Sequence, residues 1–324
     1  METRRVQKTG ISTFTVSLPK AWVISNGIKT GDSLSIDIEK DQSLRIGVGK
    51  KKEVQRSAVI KLQEYKDKQE ILRKFTAHYI DGSGKIQICS DKPWPPNMMR
   101  DLKQDLKKFI GFEIIEESDK DLLLQDFFTA DHLSIKKAIK REYSISRLIM
   151  EETKKILLGE IKSNENISFW EDEVDKLYLL VRREINFAVH DPGILRQLDI
   201  SLKECQEFIL LIDSIEKMTD TFYEISANAL AVKKGPESTS KKLALIIDNM
   251  LVAFDMSFNS IMKKDFNLSN QALEMKKKAV EVPVNLGHDE ISEQSKKNLY
   301  FILASLHTAS EFIEELAEIG LGVC

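Results

Sequence analysis

Two pairs of carboxylates in the middle of the chain have the spacing of a cation site. Glu171 and Asp175 stand four residues apart in Glu-Asp-Glu-Val-Asp, and Glu216 and Asp220 stand four apart in Glu-Lys-Met-Thr-Asp. Residues at i and i+4 share one face of a helix, so each pair presents its carboxylates side by side. The midpoint of the first pair, position 173, lies seventeen residues before a helix stop expected near 190. The midpoint of the second, position 218, lies seventeen residues after Ser201, where Ser201-Leu-Lys-Glu204 matches a capping box. At ~1.5 Å per residue both pairs are ~25 Å from the same turn, so antiparallel neighbouring helices would bring four carboxylates to one level. Such a group repels itself unless a cation sits within it. Oxygen-only ligation suits hard cations such as Mg²⁺, Ca²⁺, Mn²⁺ or iron in a hard-ligand setting, and zinc enters only as a further metal for such a cluster. The plainer reading stays open: 31% of the chain is charged, and acidic pairs four apart often only face water or bond Lys and Arg.

A second chemistry belongs to the N-terminus. Residues 1–52 hold ten Lys/Arg against five Asp/Glu, a surplus of five positive charges in a chain whose formal net charge is -3. Arg4, Arg5, Lys8 and Lys20 lead this surplus. Phosphate contacts need such a local excess, and Arg can also read guanine from the major groove. A solvated basic face has the same composition.

Nucleotide and covalent chemistry find no support. There is no P-loop, no Gly-x-Gly-x-x-Gly and no Gly-x-Ser-x-Gly. The five histidines share no ligand spacing and none completes a Glu-x-x-His. A metalloenzyme reading lacks a general base and a nucleophile, so no enzymatic activity is expected. Glu274 is followed at 278 by a lysine, and His307 by Glu311 four residues on, so no comparable cluster is expected near the C-terminus.

The elements that must position these residues follow from periodicity. With 324 residues the chain exceeds the usual size of one core, so at least two domains are expected. Over 1–49, Phe14, Val16 and Leu18, then Leu34, Ile36 and Ile38, then Leu44, Ile46 and Val48 alternate with polar residues, which predicts short half-buried strands. Pro19 opens a short helix that Asn26-Gly27 stops. Some fifty residues bury little area, so a dimer would supply the missing core. Residues 54–127 predict a small mixed α/β domain of undetermined role. From 131 to 324 the period becomes helical, with helices near 132–158, 168–190, 201–234, 239–264, 269–281 and 289–319, in effect two successive three-helix units. The fold class expected is multidomain α+β.

The quoted residues also carry resemblances. Met1-Glu-Thr-Arg-Arg-Val-Gln-Lys-Thr-Gly10, Ser12-Thr-Phe-Thr-Val-Ser-Leu-Pro-Lys-Ala-Trp22 and Gly31-Asp32 resemble an AbrB/SpoVT-type swapped-hairpin DNA-binding domain. More narrowly, they resemble the version joined to PhoU domains in archaeal phosphate-uptake regulators. That resemblance implies DNA binding by a dimer through Arg4, Arg5, Lys8 and Lys20. Ser12-Thr13 departs from the Gly-Arg common in such domains, which leaves the base-contacting side chains undecided. A purely dimerising or antitoxin-like protein-binding module is the alternative. Residues 171–183 and 215–226 resemble the two acidic motifs of a PhoU domain, which implies a surface cluster of iron or another metal. It also implies a role in regulating phosphate uptake, with a phosphate transporter or signalling kinase as possible partner. A PhoU-type interaction protein that does not bind DNA is the runner-up.

Cys89, Cys205 and Cys324 are odd in number and far apart, which argues against a disulfide framework. No signal-peptide pattern and no apolar run of about 20 residues stands out, so a cytoplasmic protein without membrane insertion is expected.

Overall fold

The computed structural model describes residues 2–38, 42–48, 56–127, 135–190, 192–232, 237–282 and 292–323. The chain divides into two compact units, Met1–Gln55 and Arg56–Cys324.

In the first unit β1 (Gln7–Thr9) and β2 (Thr13–Thr15) form an antiparallel hairpin in which Lys8 pairs with Phe14. Gly10 supplies the positive φ of 73° that this tight turn requires. Pro19 then precedes α1 (Lys20–Ser25), and Lys29 donates its backbone N–H to Asp32 Oδ2 at 2.7 Å in the turn that follows. β3 (Leu34–Ile38) and β4 (Leu44–Val48) form a second antiparallel pair, with Ile36 opposite Ile46. The strands stand where alternation predicts them, but only Leu34, Ile46 and Val48 among their apolar residues are half-buried. Among the described residues of this unit no side chain is buried. Phe14 is 69% exposed, Ile36 63%, Ile38 71% and Leu44 61%. Among the described residues the two sheets are two-stranded and leave much of their apolar faces uncovered, and such hairpins are marginal alone.

The second unit opens with a four-stranded sheet of order β5-β6-β8-β7, built from β5 (Ser57–Lys61), β6 (Lys85–Cys89), β7 (Phe112–Glu117) and β8 (Asp121–Asp126). β5 and β6 are parallel, joined through α2 (Lys68–Ile80), and the other pairings are antiparallel. Asp67 caps α2 by accepting the Glu70 amide at 2.8 Å. α3 (Pro96–Leu106) completes the layer. Ile60, Phe75, Tyr79, Ile86, Ile88, Leu102, Phe109 and Leu122 fill the core between sheet and helices.

The rest is helical: α4 (Ile135–Leu157), α5 (Glu165–His190), α6 (Pro192–Leu198), α7 (Leu202–Ala231), α8 (Glu237–Lys263), α9 (Phe266–Val280) and α10 (Glu293–Val323). The capping box at Ser201 is complete, with Ser201 Oγ accepting from the Glu204 amide and Glu204 accepting from the Ser201 amide. α6 is an addition to the helices read from the sequence, where Pro192 marks only a stop. One apolar core, from Ile139 on α4 through Leu211 and Phe222 on α7 to Phe254 on α8 and Ile313 on α10, runs through both triples of long helices. α8 is long and apolar enough by composition to span a bilayer, contrary to the expectation that no stretch comes close; 56% of its apolar window is buried inside the unit.

α5 also joins the bundle to the sheet. Leu179 belongs to the sheet's own core, and Asn186 donates to the Ile80 carbonyl at 2.9 Å. Gly82, at φ 83°, lies so close to Phe187 that a Cβ would sit 2.7 Å from its ring. Arg183, 1% exposed, donates to the Tyr79 carbonyl at 2.5 Å and the Ser83 carbonyl at 3.2 Å, and pairs with Asp126.

Candidate metal centre and nucleic-acid interface

The acidic residues are positioned by α5 and α7, which run antiparallel. Arg182 Nη1 lies 3.5 Å from Asp213 Oδ1, and two turns away, backward on α5 and forward on α7, stand Asp175 and Asp220. One oxygen each from Glu171, Asp175 and Asp220 lie within 4.8 Å of one another. Glu216 stands outside that trio, one turn before Asp220 on α7, although its charge is felt at Glu171. Equal distances from the bend place Glu171 opposite Asp220 and Asp175 opposite Glu216, and these are neighbours here, with only Glu216 left outside the close trio.

The electrostatics are those of crowded, partly desolvated carboxylates. Burial first, then Asp175 and Asp220, pushes the Glu171 carboxyl up to about 7. Glu216 is pushed up to about 7 by burial and then by Asp220 and Asp175. Asp220 has an exposed side, yet burial of the rest of its carboxyl, then Asp175 and Glu224, raise it to about 6. Asp175 is raised by burial, and the nearby Lys108 ammonium partly offsets that. Each of these groups gains from a positive charge placed among them, which is what a hard cation supplies. Three monodentate carboxylates within this span suffice for a partly hydrated divalent ion.

The corresponding part of the second triple is settled internally. Lys276 on α9 sets its ammonium 2.8 Å from Glu311 Oε1 on α10 and also bonds Glu314. Glu274 pairs with Lys277 at 3.1 Å.

Two participants escaped sequence reading. Lys108 follows α3 and reaches the acidic group only because the sheet packs on α5. Glu142 on α4 is wholly buried, and its carboxyl is raised by burial and then by Glu216 and Asp213. A signal for Glu142 was present: it falls on the stripe Ile135, Ala138, Ile139, Ser146, Ile149, Met150 that a helix buries.

In the first unit Arg4 and Arg5 lie in the segment leading into β1, Lys8 within β1, and Lys20 at the start of α1. All four are exposed, and Arg4 contacts Glu2. Exposed cations on a hairpin and its flanks can approach a phosphate backbone without desolvating first.

No curated protein and no solved structure matches the chain. The family described as "Antidote-toxin recognition MazE, bacterial antitoxin" matches residues 7–56, which contain Lys8 and Lys20 and begin just after Arg4 and Arg5. This MazE/AbrB-like match supports an AbrB-like DNA-binding domain at the N-terminus and fits a DNA-binding regulator.

Proposed function

We propose that the protein is a transcriptional regulator that binds DNA as a dimer through its N-terminal unit and carries a cation-responsive helical bundle. The observation that carries this reading is the N-terminal unit itself: a MazE/AbrB-like span in which Arg4, Arg5, Lys8 and Lys20 and the apolar Phe14, Ile36, Ile38 and Leu44 are exposed. A second copy covers the apolar faces and doubles the basic surface. Arg4, Arg5, Lys8 and Lys20 contact the DNA. Glu171, Asp175 and Asp220, with Glu216 beside them, hold a divalent cation or iron. The response to phosphate status, and control of phosphate uptake, rest on the resemblance of residues 171–183 and 215–226 to the acidic motifs of PhoU domains. A cytoplasmic location and the lack of enzymatic activity follow from the same reading.

Fluorescence anisotropy over a salt series tests it, with promoter fragments beside phosphate-transport genes compared with random duplex. Specific binding is expected that weakens as salt rises. In Arg4→Ala/Arg5→Ala, affinity should drop and the slope of log K against log salt should shrink by about 0.9 per lost phosphate contact. A folded dimer that binds no duplex would favour the non-DNA-binding interaction protein instead.

A further inference from the structure

The acidic site does not end at the bundle surface. α4 and α7 run parallel, since Ser146 Oγ meets Thr219 Oγ1 at 2.7 Å and, further along both helices, Thr153 Oγ1 donates to the Phe222 carbonyl at 3.4 Å. One turn before the Ser146–Thr219 contact, α4 carries Glu142 and α7 carries Glu216 and, a turn earlier still, Asp213. Glu142 is 0% exposed, and neither carboxyl oxygen has a hydrogen-bond partner among the described residues. Its two electrostatic neighbours are both acidic, Glu216 first and then Asp213. Glu216 in turn neighbours Asp220 and Asp175 of the surface trio.

A carboxyl in that position needs an explanation. Buried polar groups are normally paired, and an unpaired one is costly. Packing does not require it: the stripe it interrupts is apolar on both sides, and a leucine would fill the volume. Arg182 serves Asp213 and Lys108 lies toward Asp175, but the charged groups that act on Glu142 are both carboxylates, so the partner it lacks is a cation. From this we infer that Glu142 is an interior ligand of the cation site, which extends from the trio of Glu171, Asp175 and Asp220 inward through Glu216. The inference rests on the cation reading above and deepens it. Ligation by Glu142 joins α4 to α5 and α7, so that occupancy of the site clamps all three helices of the first triple together.

Mn²⁺ binding to the intact chain, followed by electron paramagnetic resonance of the free ion and by the Mn²⁺-induced rise in Tm, tests this. The variants are Glu142→Gln, Glu142→Leu and Asp220→Asn. Glu142→Gln is expected to weaken Mn²⁺ binding on the order of 10–100-fold, the scale seen when groups supporting a metal site are removed. Glu142→Leu should raise the Tm of the metal-free protein while abolishing most of the Mn²⁺-induced rise; a merely damaged fold would lower both. Mn²⁺ affinity equal to wild type in both Glu142 variants, with Asp220→Asn still impaired, would overturn the role of Glu142 and leave the surface site standing. Failure of the wild-type protein to bind Mn²⁺ at all would overturn the cation reading and this inference with it.

Discussion

At the scale of single residues, the unusual feature is a set of carboxyls that hold protons more tightly when folded. Glu171 and Glu216, raised to about 7, and Asp220, raised to about 6, all shift the same way, as does Glu184, pushed up to about 7 by burial against the opposing pull of Arg183. A raised carboxyl binds more protons in the native than in the unfolded state between its ordinary range and its folded value. Stability is therefore full below about pH 4.5 for these groups and is lost as pH climbs through about 6–7. The metal-free protein should melt several degrees lower at pH 8 than at pH 5, at roughly 2–4 °C per kcal/mol for a unit this size. Glu171→Gln/Glu216→Gln should flatten the dependence. Circular dichroism melts across pH check both. Added Mn²⁺ should restore stability at pH 8 and do little at pH 5, where protons occupy the ligands.

At the scale of elements, α5 has two duties. Its first half carries Glu171 and Asp175, and its second half carries Arg183, whose guanidinium lies 4.8 Å from the Tyr79 ring and 5.0 Å from the Phe112 and Phe187 rings. About two turns of rigid helix separate Asp175 from Arg183, ~12 Å at 1.5 Å per residue. Arg183→Ala removes the cation from Asp126 and from two buried carbonyls. It should cost on the order of 3–5 kcal/mol, the scale for breaking a buried pair, and it should do so in the sheet layer first. Urea unfolding followed at Trp94, which is buried in that layer, against helix content from circular dichroism would separate the two. A change confined to neither probe would mean that α5 does not hold the sheet. The second triple shows the alternative answer to crowded acids, because Lys276 provides in covalent form the positive charge that the proposed ion would supply to the first triple.

At the scale of the whole molecule, the two units face different problems. The larger one has two hydrophobic clusters and stands on its own. The smaller one leaves Phe14, Ile36, Ile38 and Leu44 exposed, so its stability should come from association. Phe14→Asp/Ile36→Asp should shift the protein from dimer to monomer in sedimentation velocity and weaken DNA binding at least tenfold, with helix content unchanged. A variant that stays dimeric would assign association to the helical unit.

Much of this was open to reading along the chain, because the signals are local. Alternation at Phe14, Ile36 and Ile46 marked the strands, Ser201 and Glu204 marked the start of α7, and spacing of four marked each acidic pair. These depend on backbone geometry within one or two turns, which neighbouring residues dictate. The match of residues 7–56 agrees with the domain type that the N-terminal motif suggested. What the sequence could not reveal depends on how helices rotate and slide against one another. Helix rotation decides that Asp220 closes on Glu171 and Asp175 while Glu216, a turn earlier on α7, stays outside the trio. Glu142 feels the charge of Glu216 because α4 lies parallel to α7, and Lys108 that of Asp175 because the sheet layer packs on α5. A helix turns about 100° per residue, so a displacement of one or two positions changes which side chains meet across an interface. Only the packed core sets that displacement.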